Sequence, residues 1–218
     1  MAISLAEKGL AHDRRLVDLQ NKPADFVAVY ERACADTSSR AKVPILEVGE
    51  CALVESLLIC DYLEDLAPRP NEDPLERALA RLWASRFSEC LPYVAVLKAD
   101  EGSEEEAAAM EKLKDGMRAL DRFLRDHGRH DGPYLLDDFS LAESCTSPFA
   151  QRFVVCMPGL RPALGDPFAM LEAEGCDRLA QWMRAVSQRP SCVQSLPPDE
   201  ELVGGYAKLL ERMRAMAK

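Results

Sequence analysis

The side chains best suited to nucleophilic or metal chemistry are eight cysteines and three histidines, and their spacing argues against both uses. Cys34, Cys51, Cys60, Cys90, Cys145, Cys156, Cys176 and Cys192 form no C-x-x-C pair. None stands with His12, His127 or His130 at the spacing of a zinc site, and no metal is expected. Cys60 follows Leu57, Leu58 and Ile59, the setting of a small buried hydrophobe. The cysteines therefore read as reduced core residues rather than a disulfide frame. Two short runs are better placed for binding, Lys42-Val43-Pro44 and Glu55-Ser56. Glu55 and Ser56 fall where a β-prone run ends and a helical run begins. There a side chain and the free N–H groups of a helix start can meet an anion together.

The elements that position these residues can be read from pattern. Met1 to Gly9 carries a short helical face and ends on a glycine stop. Arg15 to Leu19 alternates as a strand does. Pro23 opens a helix that runs to about Cys34, with Phe26, Val27 and Tyr30 inward. Ile45–Val48 and Cys51–Val54 form a hairpin around Gly49-Glu50, and a helix follows from Glu55 to about Leu66. The proline-rich stretch from Ala67 to Pro74 reads as a linker, dividing the chain into domains at 1–67 and 75–218. Everything beyond reads as about five or six helices. Ser103 with Glu106 and Ser140 with Glu143 make S-x-x-E capping boxes, so Ser140 and Glu143 are a structural cap and not catalysts. Met110, Leu113, Met117, Leu120 and Leu124 mark one helix face. Gln181–Gln188 and Glu201–Met216 are further helical stretches. The fold class is α+β, a small α/β domain followed by an all-α helical bundle.

A net charge of -10 over 218 residues argues against a nucleic-acid surface, which needs clustered Lys and Arg. No stretch is long and apolar enough to span a membrane, and no signal-like apolar core opens the chain. The expected location is the cytoplasm, or an organelle stroma or matrix reached by a targeting peptide upstream of Met1.

Lys42-Val43-Pro44-Ile45-Leu46 followed by Val54-Glu55-Ser56-Leu57 resembles the glutathione site of the glutathione transferase family. The resemblance spans nearly the whole chain. Leu5 to Leu10 is similar to the end of the family's first helix, and Phe139-Ser140-Leu141-Ala142-Glu143 to its capped core helix. Trp182 with Arg189-Pro190-Ser191 is similar to a late helix. The Ser-Pro-Phe-x-x-Arg-Phe stretch at Ser147 to Phe153 and the triplet Glu55-Ser56-Leu57 are most like the cysteine-type omega and lambda classes. The resemblance implies a thioredoxin-like first domain and glutathione as co-substrate. It implies that Val43, before a cis Pro44, offers its backbone to the cysteinyl part of glutathione as an added strand does. Ser56 would take the γ-glutamyl carboxylate, Glu55 the amine and Lys42 the glycyl carboxylate. The family usually has Asp where Glu143 stands and an apolar residue where Ser144 stands, a departure expected to weaken the cap's apolar contact.

The family's first strand and thiol-activating residue would precede Met1, so the first domain reads as an incomplete thioredoxin-like unit. Upstream residues, a strand from a partner, or a rearranged domain are the expected explanations, in that order. Ser4 is a poor substitute because it lies within the helix rather than at its mouth. The resemblance implies conjugation or thiol-transfer and reductase chemistry, and a homodimer. The alternative is a non-catalytic interaction or assembly subunit of a larger complex. A third reading carries an apolar small molecule in a cleft between the domains, lined by Trp83, Phe87 and Tyr93, although these aromatics read first as core.

Overall fold

The computed structural model describes residues 1–35, 40–69, 73–129 and 132–216, which fall into two compact units, Met1–Glu72 and Asp73–Lys218. In the first unit the helix α1 (Ala2–Glu7) is followed by α2 (Ala24–Cys34), β1 (Leu46–Val48), β2 (Cys51–Leu53) and α3 (Ser56–Leu66). The hairpin turns on Gly49, whose φ of 58° lies in the left-handed region that glycine occupies without steric cost. Its register pairs Leu46 with Leu53, Glu47 with Ala52 and Val48 with Cys51. Leu5, Ile59 and Leu63 form the buried centre, with Leu10, Leu46, Leu53 and Tyr62 against it. Beside this core Lys8 Nζ lies 2.9 Å from Glu64 Oε2, both side chains nearly buried. The ammonium's aligned hydrogen bond goes to the Ala67 carbonyl at 2.7 Å, so it ties α1 to the end of α3.

The strand expected at Arg15–Leu19 does not form. The segment is unpaired coil, and Leu16 is 84% exposed. Alternation marks a strand only where a ladder partner and a covered face exist, and among the described residues the sheet holds only β1 and β2. Arg15 instead donates to Asp25 at 2.9 Å in the first turn of α2.

The second unit contains more helices than periodicity suggests. They are α4 (Pro74–Cys90), α5 (Tyr93–Lys98), α6 (Glu104–His127), α7 (Leu141–Leu160), α8 (Pro167–Ala173), α9 (Asp177–Gln188), α10 (Pro190–Ser195) and α11 (Asp199–Met216), with a 3-10 turn at Pro162–Leu164. The additional ones, α5, α8 and α10, are six or seven residues long, too short to show a 3.6-residue period. α9 and α11 begin earlier than the expected Gln181 and Glu201. Pro74 belongs to α4 and not to the linker, because the Asp73 side chain accepts from Leu75 N at 3.0 Å and starts the helix there. Pro70, Asn71 and Glu72 of the expected linker lie outside the described residues.

α7 is the axis of this unit, packed by α4, α8, α9 and α11. Its Ser140–Glu143 capping box is complete. The longer Glu143 side chain does more than cap. Oε2 accepts from Ser140 N at 2.9 Å and Ser140 Oγ at 2.7 Å, while Oε1 accepts from Leu135 N and Trp182 Nε1, both at 2.9 Å. Ser144 is buried, so the site of the expected apolar contact is filled by a small side chain. The Ser103–Glu106 pair forms only half of the expected box. Ser103 Oγ accepts from Glu106 N at 3.1 Å, but the Glu106 carboxylate takes Gly102 N at 2.6 Å and the Arg161 guanidinium instead of Ser103 N. Arg161 takes one oxygen of that carboxylate, and the other bonds the backbone one residue before the cap. Leu113, Met117, Leu120 and Leu124 on α6 are buried as their spacing predicts.

Candidate functional site

The expected binding residues all lie in the first unit, at one end of the hairpin. Lys42 and Val43 are exposed in the loop before β1, and Pro44 is half-buried behind them. The loop is anchored from below by Lys22, whose Nζ donates to the Ala41 carbonyl at 2.7 Å. The Val43–Pro44 bond is cis. Val43 is 49% exposed, and among the described residues its backbone N–H and C=O have no hydrogen-bond partner. Both groups are therefore available to an extended peptide, which would add to the chain as a short strand does.

Because Leu46 faces Leu53, the chain entering β1 and the chain leaving β2 meet at the same end of the sheet. Glu55 and Ser56 follow there at once. Glu55 has φ 68° and ψ 109°, a left-handed backbone that is strained for any residue with a Cβ. This sharp turn starts α3 immediately after the strand. No side chain caps α3, and its first backbone bond runs from Ile59 N to Glu55 O at 3.0 Å. The N–H groups of Ser56, Leu57 and Leu58 thus precede the ladder, at the positive end of the helix dipole. Glu55 and Ser56 are both exposed beside them. The arrangement offers donors for a carboxylate, a carboxylate for an amine, a backbone edge for a peptide, and an ammonium at Lys42.

Sequence reasoning missed the strain at Glu55. Glycine or asparagine would have signalled a positive φ, and a glutamate gives no such signal. No thiol-activating role is assigned to any of the five residues. Ser4 cannot stand in, since it is buried and donates to Cys60 Sγ at 3.4 Å. Among the described residues no group of three or more His, Cys, Asp or Glu side chains comes together as a metal site, and no helix is long and apolar enough to cross a membrane.

Of the aromatics expected to border a ligand cleft, Trp83 is core, whereas Phe87 and Tyr93, although buried, also line a pocket of about 250 Å³ with Phe149 and Tyr206. Trp83 and Phe87 are fully buried with ring centroids 5.3 Å apart, each within 5.3 Å of the Trp182 ring. Trp83 Nε1 donates to Thr146 Oγ1 at 3.1 Å. Tyr93 is buried and shares a 2.8 Å hydroxyl contact with Tyr206. Burial, with that hydrogen bond second, holds its phenol far above the ordinary tyrosine pKa, so it stays neutral.

Residues 1–71 match the family model described as glutathione S-transferase, N-terminal domain, and residues 103–185 match glutathione S-transferase, C-terminal domain. A maleylacetoacetate isomerase from Mus musculus is 30% identical over 163 residues, covering 70% of this chain and 73% of that protein. Among solved structures, glutathione transferase Omega 3C from Trametes versicolor superposes with a TM-score of 0.75 at 25% identity, over 98% of this chain and 85% of that one. Rice GST1 in complex with glutathione gives a TM-score of 0.68 at 24% identity, over 97% of this chain and 90% of that one.

Proposed function

The chain belongs to the glutathione S-transferase family, and from that premise we propose that it binds glutathione at Lys42, Val43, Pro44, Glu55 and Ser56. In this reading residues 1–67 hold glutathione and 75–218 form the helical domain. The observation that carries it is the strained turn at Glu55, which puts an exposed carboxylate, a serine hydroxyl and the uncapped start of α3 at the hairpin end that also carries Val43. Ser56 and the α3 N–H groups take the γ-glutamyl carboxylate. Glu55 takes its amine, the Val43 backbone takes the cysteinyl unit, and Lys42 takes the glycyl carboxylate.

The chemistry such binding serves is glutathione conjugation or thiol transfer, and its thiol-activating group lies outside these five residues. The protein acts as a homodimer in the cytoplasm or an organelle stroma or matrix. Binding is tested by calorimetry with glutathione and by retention on immobilised glutathione. A Glu55→Ala, Ser56→Ala double variant should lose both while keeping the parent's helical circular-dichroism signal. Retention equal to the parent's would overturn the assignment.

A second reading, compatible with cysteines that follow no catalytic pattern, is a non-catalytic interaction or assembly subunit. Purification from the native source separates the two. A free dimer with conjugating or dehydroascorbate-reducing activity supports the enzyme. A stoichiometric subunit without activity supports the module.

A further inference from the structure

The helix α11 is held differently along its two halves. Up to Val203 it is seated on α7. Leu202 is buried, and Leu202 N donates to Pro198 O at 3.0 Å. Val203 packs where Gly159 has no side chain, since a Cβ on Gly159 would lie 2.6 Å from Val203 Cγ2. Gly204 and Gly205 follow at once, and both are exposed. A Cβ on either would meet no neighbouring element within 4 Å, so packing does not call for glycine. Glycine is the weakest helix former after proline, and two in succession mark where the helix yields most easily.

Beyond the glycines the polar ties go to α5. Tyr206 shares its hydroxyl contact of 2.8 Å with Tyr93, and the two rings stack with centroids 6.1 Å apart. Arg214 donates from Nε to Lys98 O and from Nη2 to Leu97 O, both at 3.0 Å. Tyr206 also lines the pocket of about 250 Å³ with Phe87, Leu91, Tyr93 and Phe149. We infer that α11 is hinged at Gly204-Gly205, and that residues 206–216 release from α5 together and take this wall of the pocket with them. The pocket lies within the second unit and shares no residue with the proposed glutathione site.

The ties are of a kind that opens. A neutral hydroxyl pair and two bonds from the exposed Arg214 are exchanged for bonds to water at small net cost. Burial of Leu210 opposes release and keeps the closed form dominant. The first half does not follow. Val203 stays against Gly159, so the bend falls at the glycines, whose φ and ψ are free to absorb it. Phe87 and Phe149 come from α4 and α7, so release opens one side of the pocket without unpacking the rest. Off α5, a helix this short is marginal in water, and its amides then exchange with solvent as a group.

Amide hydrogen exchange of the full chain, read residue by residue by NMR, tests the hinge. Protection should drop in one step beyond Gly205 and stay level over residues 208–214. A Gly204→Ala, Gly205→Ala variant should slow exchange over that stretch about 15- to 30-fold, because two alanines restore the helix preference that the glycines withhold. Arg214→Ala should speed it about three- to tenfold along the whole stretch and leave Leu202 and Val203 unchanged. Unaltered protection from Leu113 to Leu124 on α6 shows that each variant is folded. Fraying from the helix end gives another pattern, protection that declines steadily toward Met216 with Arg214→Ala felt only in the last turn. That gradient would overturn the inference. So would equal exchange on the two sides of the glycines, or a change of less than threefold in the alanine pair.

Discussion

Replacing Glu143 by aspartate, the residue the sequence resemblance implies for this position, should be costly here. Aspartate retains the carboxylate and can still serve Ser140. It is shorter by one carbon–carbon bond, about 1.5 Å. The Oε1 contacts to Leu135 N and Trp182 Nε1 are 2.9 Å each, and withdrawing the carboxylate takes both beyond hydrogen-bonding range. Both donors are buried, and each left unpaired costs about 1–3 kcal/mol. The expected loss is thus about 2–6 kcal/mol, much of a typical domain stability of about 5–15 kcal/mol. Urea unfolding followed by tryptophan fluorescence reads it directly, since Trp83 and Trp182 are the only tryptophans and both lie in the second unit. With a slope of about 2 kcal/mol per M, the midpoint should fall by about 1–3 M. The same substitution in a Trp182→Phe background removes one of the two stranded donors, so its cost should drop by about 1–3 kcal/mol. A cost below about 0.5 kcal/mol, or an equal cost in both backgrounds, would refute the account of Glu143 as a bridge between cap and core.

Gly116→Ala should destabilise the second unit by several kcal/mol despite alanine's helix advantage of about 1 kcal/mol. A Cβ there would sit 1.8 Å from the Cys90 carbonyl oxygen, so α4 and α6 must separate; a neutral thermal melt would contradict the packing. Glu55→Gly should stabilise the first unit by about 1 kcal/mol, the relief of about 1–3 kcal/mol of strain less glycine's entropic cost of about 0.5–1. The same change should abolish glutathione binding, and a circular-dichroism melt that falls would show the φ of 68° is not strained. Burial pushes the thiols of Cys156 and Cys176 up to about 11, from 9.0. At pH 8 a disulfide reagent should label exposed Cys51 first and reach these two only on unfolding. Because their folded pKa is raised, the unfolded chain loses these protons first, and stability should decline between pH 9 and about 11; a flat profile there would exclude their burial.

Local signals were the legible ones. Gly49 announces the hairpin turn, Ser140 with Glu143 announces α7, and the spacing from Leu113 to Leu124 announces the buried face of α6. Each is settled by neighbours within a few residues. What failed depended on distant partners. Arg15 to Leu19 has a strand's alternation, but pairing is decided elsewhere in the chain, and no described strand lies beside it. Glu106 has a capping-box spacing, but Arg161 claims its carboxylate from far along the sequence.

That distinction explains why a binding site could be proposed where a reaction could not. Holding an extended peptide needs a backbone edge, a helix start and a sharp turn, and Val43 to Ser56 supplies all three within one hairpin and its exit. Activating a thiol needs one group at one distance, which no local pattern encodes.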